Sequence, residues 1–250
     1  MNFIKLPNLP ESRVNLLIIG QKYAELLQSS LQLLNVDVLE LPDNPNVDPR
    51  LSGHADLSVL HVGTNRLILA DYLKKSEFSE KLACLGEKLL YYEEKQDVNY
   101  PLDAGLNVCF VGSKLICNPA TASGQIVNHL TNNNTIIRCR QGYSRCSVCV
   151  VDGNSIITAD TGIADAAEYA GLSVLKVKPG LANLVGFSDG FIGGAAFKLS
   201  SGELAFTGTI ADSLERNRIE KFIRRRGVEP VYLTDIDLFD IGGAVTITEA

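Results

Sequence analysis

The sequence contains no long uninterrupted apolar segment. Apolar stretches such as Val148–Val151 are far shorter than the ~20 residues that a helix needs to span a bilayer. The first residues, Met1–Pro7, also lack the basic and then apolar pattern of a signal peptide. We therefore expect a cytoplasmic protein that does not associate with a membrane.

The sequence also has no excess of positive charge. Its 23 basic and 29 acidic residues give a net charge of −6, which disfavours binding along a phosphate backbone, so we expect no nucleic-acid partner. One basic cluster, with Glu215 and Glu220 among its members, consists of Arg216, Arg218, Lys221, Arg224, Arg225 and Arg226. Apolar residues at helical spacing within 213–226 indicate a solvated helix face, and a surface for an anionic partner is the alternative.

The cysteines do not form the pattern of a cross-linked or metal-binding protein. Six cysteines in a cytosolic chain do not predict a disulfide framework. Cys146 and Cys149 have the spacing of a metal or redox motif, but no second pair is present to complete a zinc site. Residues 145–151 are predicted as a strand, in which positions three apart face opposite sides. We therefore interpret both thiols as structural and expect neither a metal nor a cofactor.

A pattern of two short apolar strands joined by a tight turn occurs four times along the chain. The copies span 56–69, 106–117, 146–158 and 195–206. Each turn contains glycine, which supplies the positive φ that a hairpin turn needs. Repeats of this kind decide the architecture, because each copy is one structural unit.

A helical stretch and a further apolar strand follow each hairpin. The helices are predicted over 76–88, 123–130, 162–170 and 213–226, and the strands that follow begin at Leu89, Thr135, Ser173 and Val228. In the third of these helices Ile163 and Ala167 share one face, and Gly171 ends the helix. The repeating unit is therefore strand, turn, strand, helix, strand.

The N-terminal region supplies an incomplete fifth copy. It has a strand at 14–19, a helix at 23–34 and a closing strand at 36–41, while the missing strand is found at the other end of the chain, in 244–248. Pairing of that strand with the N-terminal unit closes five units into a ring without an open sheet edge. An open α/β sheet with helices on both faces is the alternative, but it requires strands and helices in strict alternation.

The five-unit pattern resembles the pentein β/α propeller. This superfamily includes arginine deiminases, dimethylarginine hydrolases, amidinotransferases and a ribosome anti-association factor that is not an enzyme. The stretches 142–147, 190–195 and 240–243 resemble, more narrowly, an uncharacterised bacterial family within it. The resemblance implies an α/β fold, a five-fold pseudosymmetric propeller in a single domain. Its units are 1–50 with 244–250, 51–100, 101–140, 141–186 and 187–240.

In pentein enzymes the ligand lies at the hub, where the starts of the units converge. The resemblance implies that Asp56 binds a cationic group and that Asp103 orients a catalytic histidine or holds a guanidinium group. Tyr143 and Ser144 occupy the position of the catalytic histidine, and residues 240–246 occupy that of the nucleophilic cysteine. Because neither residue type is present there, we do not expect the family's usual thiolate attack and covalent adduct.

Acidic residues at the starts of several units predict a pocket for a small cationic ligand of the amino-acid or guanidino type. Clustered carboxylates repel one another, and a cation between them stabilises them together. The alternative is that each carboxylate caps a turn. The candidate ligand-binding residues are His54, Asp56, Asp103, Ser144, Asp189 and Asp240.

His54 and Cys146 are the candidates for a catalytic role. His54 lies two residues from Asp56 on a predicted strand, so the two side chains share a face and the histidine is placed as a general base. The alternatives are a metal ligand, for which the sequence shows no evident third or fourth ligand, and a turn histidine with no catalytic role. Cys146 is either a relocated nucleophile or a small hydrophobic packing residue. A non-catalytic interaction protein is the third hypothesis, by analogy with the ribosome-binding relative.

Overall fold

The computed structural model describes residues 2–130 and 134–250. Within these residues the chain forms a mixed α/β fold of sixteen strands, grouped in five small sheets, and six α-helices. No helix in this described part is long and apolar enough to cross a membrane. Small sheets separated by helices are the arrangement that the repeated pattern of the sequence predicts.

The units follow one another along the chain. The first contains β1 (Asn2–Phe3), β2 (Val14–Gly20), α1 (Gln21–Leu33) and β3 (Asp37–Leu41), and the second β4 (Val59–His61), β5 (Arg66–Leu69), α2 (Glu77–Cys84) and β6 (Lys88–Tyr91). The third contains β7 (Cys109–Val111), β8 (Lys114–Cys117), α3 (Gly124–Leu130) and β9 (Thr135–Arg138). The fourth contains α4 (Ser144–Ser147), β10 (Val148–Asp152), β11 (Ser155–Thr158), α5 (Thr161–Tyr169) and β12 (Ser173–Lys176). The fifth contains β13 (Ala196–Ser200), β14 (Glu203–Phe206), α6 (Ser213–Arg224) and β15 (Glu229–Tyr232), and β16 (Val245–Glu249) ends the chain.

Each of the second to fifth units has the same sheet topology. Two strands form an antiparallel hairpin, and the strand after the helix pairs in parallel with the second of them. In the third unit the turn between β7 and β8 contains Gly112 at a φ of 58°, which a residue with a side chain rarely adopts. The helix between hairpin and third strand gives the crossover that a parallel pair requires.

The helices begin and end where their local sequence dictates. At the start of α5 the Asp160 side chain accepts a hydrogen bond from the amide of Ile163 at 2.8 Å, and Gly171 follows the helix at a φ of 83°. Two of the basic side chains of α6 have acidic partners within the chain. Arg218 pairs with Glu215 at 2.7 Å, and Arg224 pairs with Glu220 at the same distance. These pairs favour the interpretation of α6 as a solvated helix face.

The C-terminal strand lies inside the N-terminal sheet. The strand order is β1-β16-β2-β3, and Val245 is opposite Ile18 in the antiparallel pair of β16 and β2. The sequence analysis does not predict β1, whose two residues add to the outer side of β16. A two-residue strand carries too little pattern to be recognised without its partner.

The hydrophobic core consists of clusters that each combine residues of two units. Among the described residues, one cluster joins the first and second units, around Ile18 and Leu69. Others join the second and third around Leu60 and Phe110, and the third and fourth around Ile116 and Ile163. Two more join the fourth and fifth units around Val151 and Phe206, and the fifth and first around Leu199 and Leu27. Each sheet is therefore stabilised by burial against its neighbours rather than by its own few strands.

Candidate functional site

A cavity of about 190 Å³ lies where segments of several units meet. Its polar lining comes from His54, Tyr143, Cys146, Ser188, Asp189 and Asp240, and its apolar lining from Leu51, Leu57, Leu184, Phe187 and Phe191. Most of the accessible surface of the lining is apolar, and a few polar groups converge on it. This combination is typical of a small-molecule site.

His54 precedes a single turn of 3-10 helix, Ala55–Leu57, which leads into β4. The prediction that His54 and Asp56 share one face of a strand is therefore wrong. A segment near the C-terminal end of the chain fixes this turn, because the amide of Asp56 donates a hydrogen bond to the carbonyl of Gly242 at 3.2 Å. A Cβ on Gly242 would lie 2.4 Å from that of His54, so only glycine permits this close approach.

Cys146 lies on α4, which precedes β10. The predicted strand over 145–151 therefore begins only at Val148, because residues 144–147 form a helical turn. The side chain of Asn107 holds this turn: its Oδ1 accepts hydrogen bonds from the amides of Arg145 at 2.7 Å and Cys146 at 3.3 Å. The turn directs Cys146 toward the cavity, whereas Cys149 packs in the core between the fourth and fifth units.

The thiol of Cys146 contacts a buried carboxylate rather than apolar side chains alone. Its Sγ lies 2.6 Å from Oδ2 of Asp56 and accepts a hydrogen bond from Nδ2 of Asn107 at 3.3 Å. Burial of its charged form raises the pKa of the Asp56 carboxyl to about 6, although His54, the Cys146 thiol and Arg145 oppose this rise. Burial, with the nearby charges of Asp56 and Asp240, raises the pKa of the Cys146 thiol well above its usual range. The sulfur of Cys146 therefore has polar contacts, with Asp56 and Asn107, and its raised pKa favours the thiol over the thiolate.

The acids of the fifth unit differ in their surroundings. Asp240 is buried, and its two carboxylate oxygens accept hydrogen bonds from the amides of Phe191 and Gly242, each at 2.8 Å. This is the turn-capping role that the sequence analysis gives as an alternative. Asp189 is exposed at the rim of the cavity. The buried acid is therefore fixed by the backbone, and the exposed one is free to meet a ligand.

Two further candidates lie away from the cavity. Asp103 is buried behind Tyr143, whose hydroxyl donates to its Oδ2 at 2.5 Å, and burial raises the pKa of this carboxyl. The hydroxyl of Ser144 donates to the carbonyl of Gln141 at 2.9 Å, so Ser144 does not line the cavity. Tyr143, its neighbour in the sequence, lines it instead.

The structure thus separates the six predicted ligand-binding residues into groups. His54, Asp189 and Asp240 line the cavity, while Asp56 and Asp103 lie one side chain behind it. The sequence analysis misses Asn107 and the rings of Phe187 and Phe191. A buried Asn at the start of a unit is a recognisable signal, but an apolar ring at a cavity has the same sequence pattern as any core residue.

The structure brings together a group of possible metal ligands that the sequence does not predict. The sequence shows no evident third or fourth ligand for a metal bound by His54. Potential ligand atoms of His54, Asp56 and Cys146 lie within 4.8 Å of one another, and all three residues are buried. The two cysteines of the CxxC spacing do not both belong to this group. Its members come from segments about ninety residues apart.

Comparison with solved structures shows that the chain has the pentein fold. Inosamine-phosphate amidinotransferase StrB1 from Streptomyces griseus matches with a TM-score of 0.64 and 9% identity, over 100% of this chain and 98% of that chain. A dimethylarginine dimethylaminohydrolase from Pseudomonas aeruginosa, a variant complexed with citrulline, matches with a TM-score of 0.57 and 11% identity, over 93% and 96%. Agmatine deiminase from C. jejuni matches with a TM-score of 0.54 and 10% identity, over 92% and 91%. At these identities the likeness defines the fold and not the reaction.

Within this class, the chain belongs to the Family of unknown function (DUF6873), whose model matches residues 18–245. Comparison with curated proteins found no match. The resemblance to an uncharacterised family with the pentein fold is confirmed.

Proposed function

We propose that this protein binds a small cationic ligand of the amino-acid or guanidino type in the cavity beside His54 and Cys146. The observation that carries the proposal is the lining, in which the exposed carboxylate of Asp189 and the buried one of Asp240 accompany aromatic and aliphatic walls. An acidic group at the rim attracts a cation, and apolar walls bind the carbon chain that carries it.

The aromatic rings favour a cation further. Tyr143 and Phe191 have ring centroids 6.3 Å apart and both line the cavity. The face of an aromatic ring attracts a cationic group within about 6 Å. Phe187 already shows this contact, because the guanidinium carbon of Arg50 lies 4.1 Å from its ring centre. A guanidinium or ammonium group therefore finds both carboxylates and ring faces in this cavity.

The fold relatives supply a choice of ligands. The enzyme from P. aeruginosa was solved in complex with citrulline, and the protein from C. jejuni is named for agmatine. Both compounds combine an aliphatic chain with a planar nitrogen-rich head. We extend this ligand class to the present chain on the basis of the shared fold and of its acidic, partly aromatic cavity.

Titration calorimetry with arginine, agmatine and citrulline tests the proposal. Asp189→Asn removes the rim charge without altering a buried contact, and we expect about 2- to 5-fold weaker binding of the cationic members, the scale of an exposed ion pair. The matched control is Asp165→Asn, an exposed position on α5 outside the cavity lining. Absence of binding to wild type across this set would contradict the proposal.

We also propose that the whole chain, 1–250, is a single domain with its five units closed in a five-fold propeller. The core clusters support this, since each combines two units that are consecutive along the chain or, in one case, the fifth and the first. A closed domain should unfold in one cooperative step seen alike by circular dichroism and tyrosine fluorescence. Two separable transitions would contradict it.

A hydrolase or transferase that uses Cys146 is the second candidate. It is favoured because Cys146 and His54 line the same cavity. A bound cation would stabilise the thiolate, and His54 would accept its proton. The sulfur would form a bond to the guanidinium carbon, and a nitrogen would leave as amine after taking the proton back from His54. Water would then cleave the carbon–sulfur bond.

Release of ammonia or amine from agmatine and arginine measures this reaction directly. We expect Cys146→Ala and His54→Ala each to abolish it, with the exposed Cys84→Ala as the control. Turnover that survives both substitutions would remove these residues from the mechanism. Binding without turnover in wild type would leave the ligand-binding proposal and reject the catalytic one.

A further inference from the structure

Three buried side chains from distant segments converge beside the cavity. His54 and Asp56 come from the start of the second unit, and Cys146 comes from α4 of the fourth. We propose that they form a binding site for a divalent transition-metal ion of the zinc type. The proposed site goes beyond the cationic-ligand pocket, because it uses other atoms and another kind of chemistry.

The spacing of the ligand atoms suits a single ion. One nitrogen of His54, one oxygen of Asp56 and the sulfur of Cys146 lie within 4.8 Å of one another. Around a tetrahedral zinc with bonds of about 2.0–2.3 Å, ligand atoms are about 3.5 Å apart. Small rotations of the side chains therefore bring all three atoms to bonding distance.

Two members of the group carry buried polar atoms without a partner. Among the described residues, neither Nε2 of His54 nor Oδ1 of Asp56 has a hydrogen-bond partner, although the two residues are only 2% and 4% exposed. A buried polar atom that bonds to nothing is unfavourable, and native proteins rarely retain one without a reason. A metal ion bound by the group supplies that reason.

The contact between sulfur and carboxylate indicates what the group binds. Sγ of Cys146 and Oδ2 of Asp56 are 2.6 Å apart, so the two share either a proton or a cation. A set of one sulfur, one imidazole and one carboxylate selects zinc-like ions over magnesium or calcium, which prefer oxygen ligands alone.

The surroundings fit a metal-bound thiolate. Asn107 donates to the sulfur at 3.3 Å, as outer partners of metal ligands do. Arg145 is buried, and its Nη1 donates a hydrogen bond to the carbonyl of Gly193 at 3.0 Å. The carboxylate of Asp56 and a thiolate of Cys146 carry two negative charges, which a divalent ion neutralises.

The fourth coordination position opens on the cavity, which His54 and Cys146 both line. Sites with three protein ligands keep such a position for water or for a ligand, whereas structural sites are closed by a fourth residue. A metal-bound sulfur is not a free nucleophile. The metal site and the reaction through Cys146 therefore exclude each other, and the same experiment distinguishes them.

The test uses the full chain, stripped with a chelator and titrated with Zn²⁺ or Co²⁺. We expect one equivalent of zinc by mass spectrometry and, with cobalt, the absorption band of a thiolate bonded to the metal. Cys146→Ser and His54→Gln should each weaken zinc binding by more than ~100-fold, beyond the 10- to 100-fold effect of losing an outer partner. Cys84→Ser, at an exposed cysteine, should change neither readout.

Wild-type protein that takes up no zinc, or a cobalt complex without the thiolate band, would overturn the proposal. So would variants that are folded by circular dichroism and keep wild-type zinc affinity. If a variant does not fold, the wild-type cobalt spectrum still decides. Asp189→Asn should weaken the cationic ligand and leave zinc binding unchanged, so that each proposal fails or stands separately.

Discussion

Two regions of this molecule that contain buried ionisable groups differ in what surrounds those groups. Beside the cavity, Asp56 and Cys146 contact each other and His54 lies within reach of both. Elsewhere in the second unit, His61 and Glu87 are buried separately. Nε2 of His61 bonds to the carbonyl of Thr64 at 2.9 Å, and neither oxygen of Glu87 has a partner among the described residues.

Both regions have shifted pKa values, so a shifted pKa does not by itself mark a functional site. Burial lowers the pKa of His61 to about 4 and raises that of Glu87 to about 7. What distinguishes the cavity group is convergence: several polar atoms from different units meet at an open space. We expect the separately buried His61 and Glu87 to affect stability, and the group of side chains beside the cavity to affect binding.

The largest expected effect on stability belongs to His61. Its folded pKa of about 4 is below the unfolded value of 6.5, so the unfolded chain takes up a proton as the pH falls between these values and the folded chain does not. Stability is therefore complete above pH 6.5 and falls by about 3 kcal/mol toward pH 4.

Urea unfolding of wild type and His61→Gln at pH 7 and pH 4.5 measures this effect. The variant has no titrating ring, and its amide keeps a donor for the carbonyl of Thr64. The difference in unfolding free energy between the two proteins should change with pH in favour of the variant at low pH. A difference that is the same at both values would show that His61 is not buried as a neutral ring.

The second effect concerns Asp103, a buried carboxylate that accepts a hydrogen bond from the hydroxyl of Tyr143. Tyr143→Phe removes the hydroxyl that donates to Asp103, and leaves a buried carboxylate without its donor. We expect a loss of about 1–3 kcal/mol in unfolding free energy. Tyr100→Phe is the control, because Tyr100 is exposed and its ring lies 5.5 Å from that of Tyr143. Equal losses in the two variants would contradict a role for the hydroxyl.

Glu87 should show the opposite pH dependence to His61. Its folded pKa of about 7 is above the unfolded value of 4.5, so stability is complete below pH 4.5 and is lost as the pH rises through 7. We expect Glu87→Gln to stabilise the protein at pH 8 by about 1–2 kcal/mol, because the neutral amide avoids the cost of burying a charge without a partner. At pH 4.5 the gain should disappear.

Thermal and urea unfolding at both pH values test this, with the exposed Glu93→Gln as the matched control. A gain that persists at pH 4.5 would mean that removal of charge is not its cause. Together, His61 and Glu87 test whether groups buried alone act only through stability.

The smallest expected effect on stability comes from Cys146→Ser, measured with a chelator present. The serine hydroxyl can donate to Asp56 in place of the thiol, so the unfolding free energy should change by less than ~1 kcal/mol. The same substitution should abolish the cobalt–thiolate band. A large loss of stability without an effect on metal binding would show that Cys146, like His61 and Glu87, acts only through stability.

Much of the fold was predictable because its units are local. The hairpin and helix of the fourth unit follow from two short apolar strands around a glycine-containing turn, an apolar helix face and a glycine after the helix. The strand predicted over 145–151 was wrong at its start: the amide of Arg145 donates to the side chain of Asn107, residues 144–147 form a helical turn, and the strand begins only at Val148. No local rule includes a partner thirty-eight residues away.

The site was predictable only in part. Acidic residues at the starts of units indicated where the hub lies, and His54 and Asp240 do line the cavity. Ser144 was wrongly placed there. Its hydroxyl bonds to the carbonyl of Gln141, and the preceding residue, Tyr143, lines the cavity instead. Which of two adjacent side chains faces a cavity depends on how the turn packs, and the sequence pattern of 143–146 is the same in either case.

The sequence by itself determined the repeating units, because turn residues, caps and apolar periodicity act within a few residues of one another. It also determined that no cysteine occurs within 240–246. Only the tertiary structure decided that the thiol of Cys146 meets the carboxylate of Asp56, ninety positions away in the chain. That contact depends on how the second and fourth units are brought together by the packing of all the clusters between them. Contacts of this kind have no local signature, and here they define the candidate site.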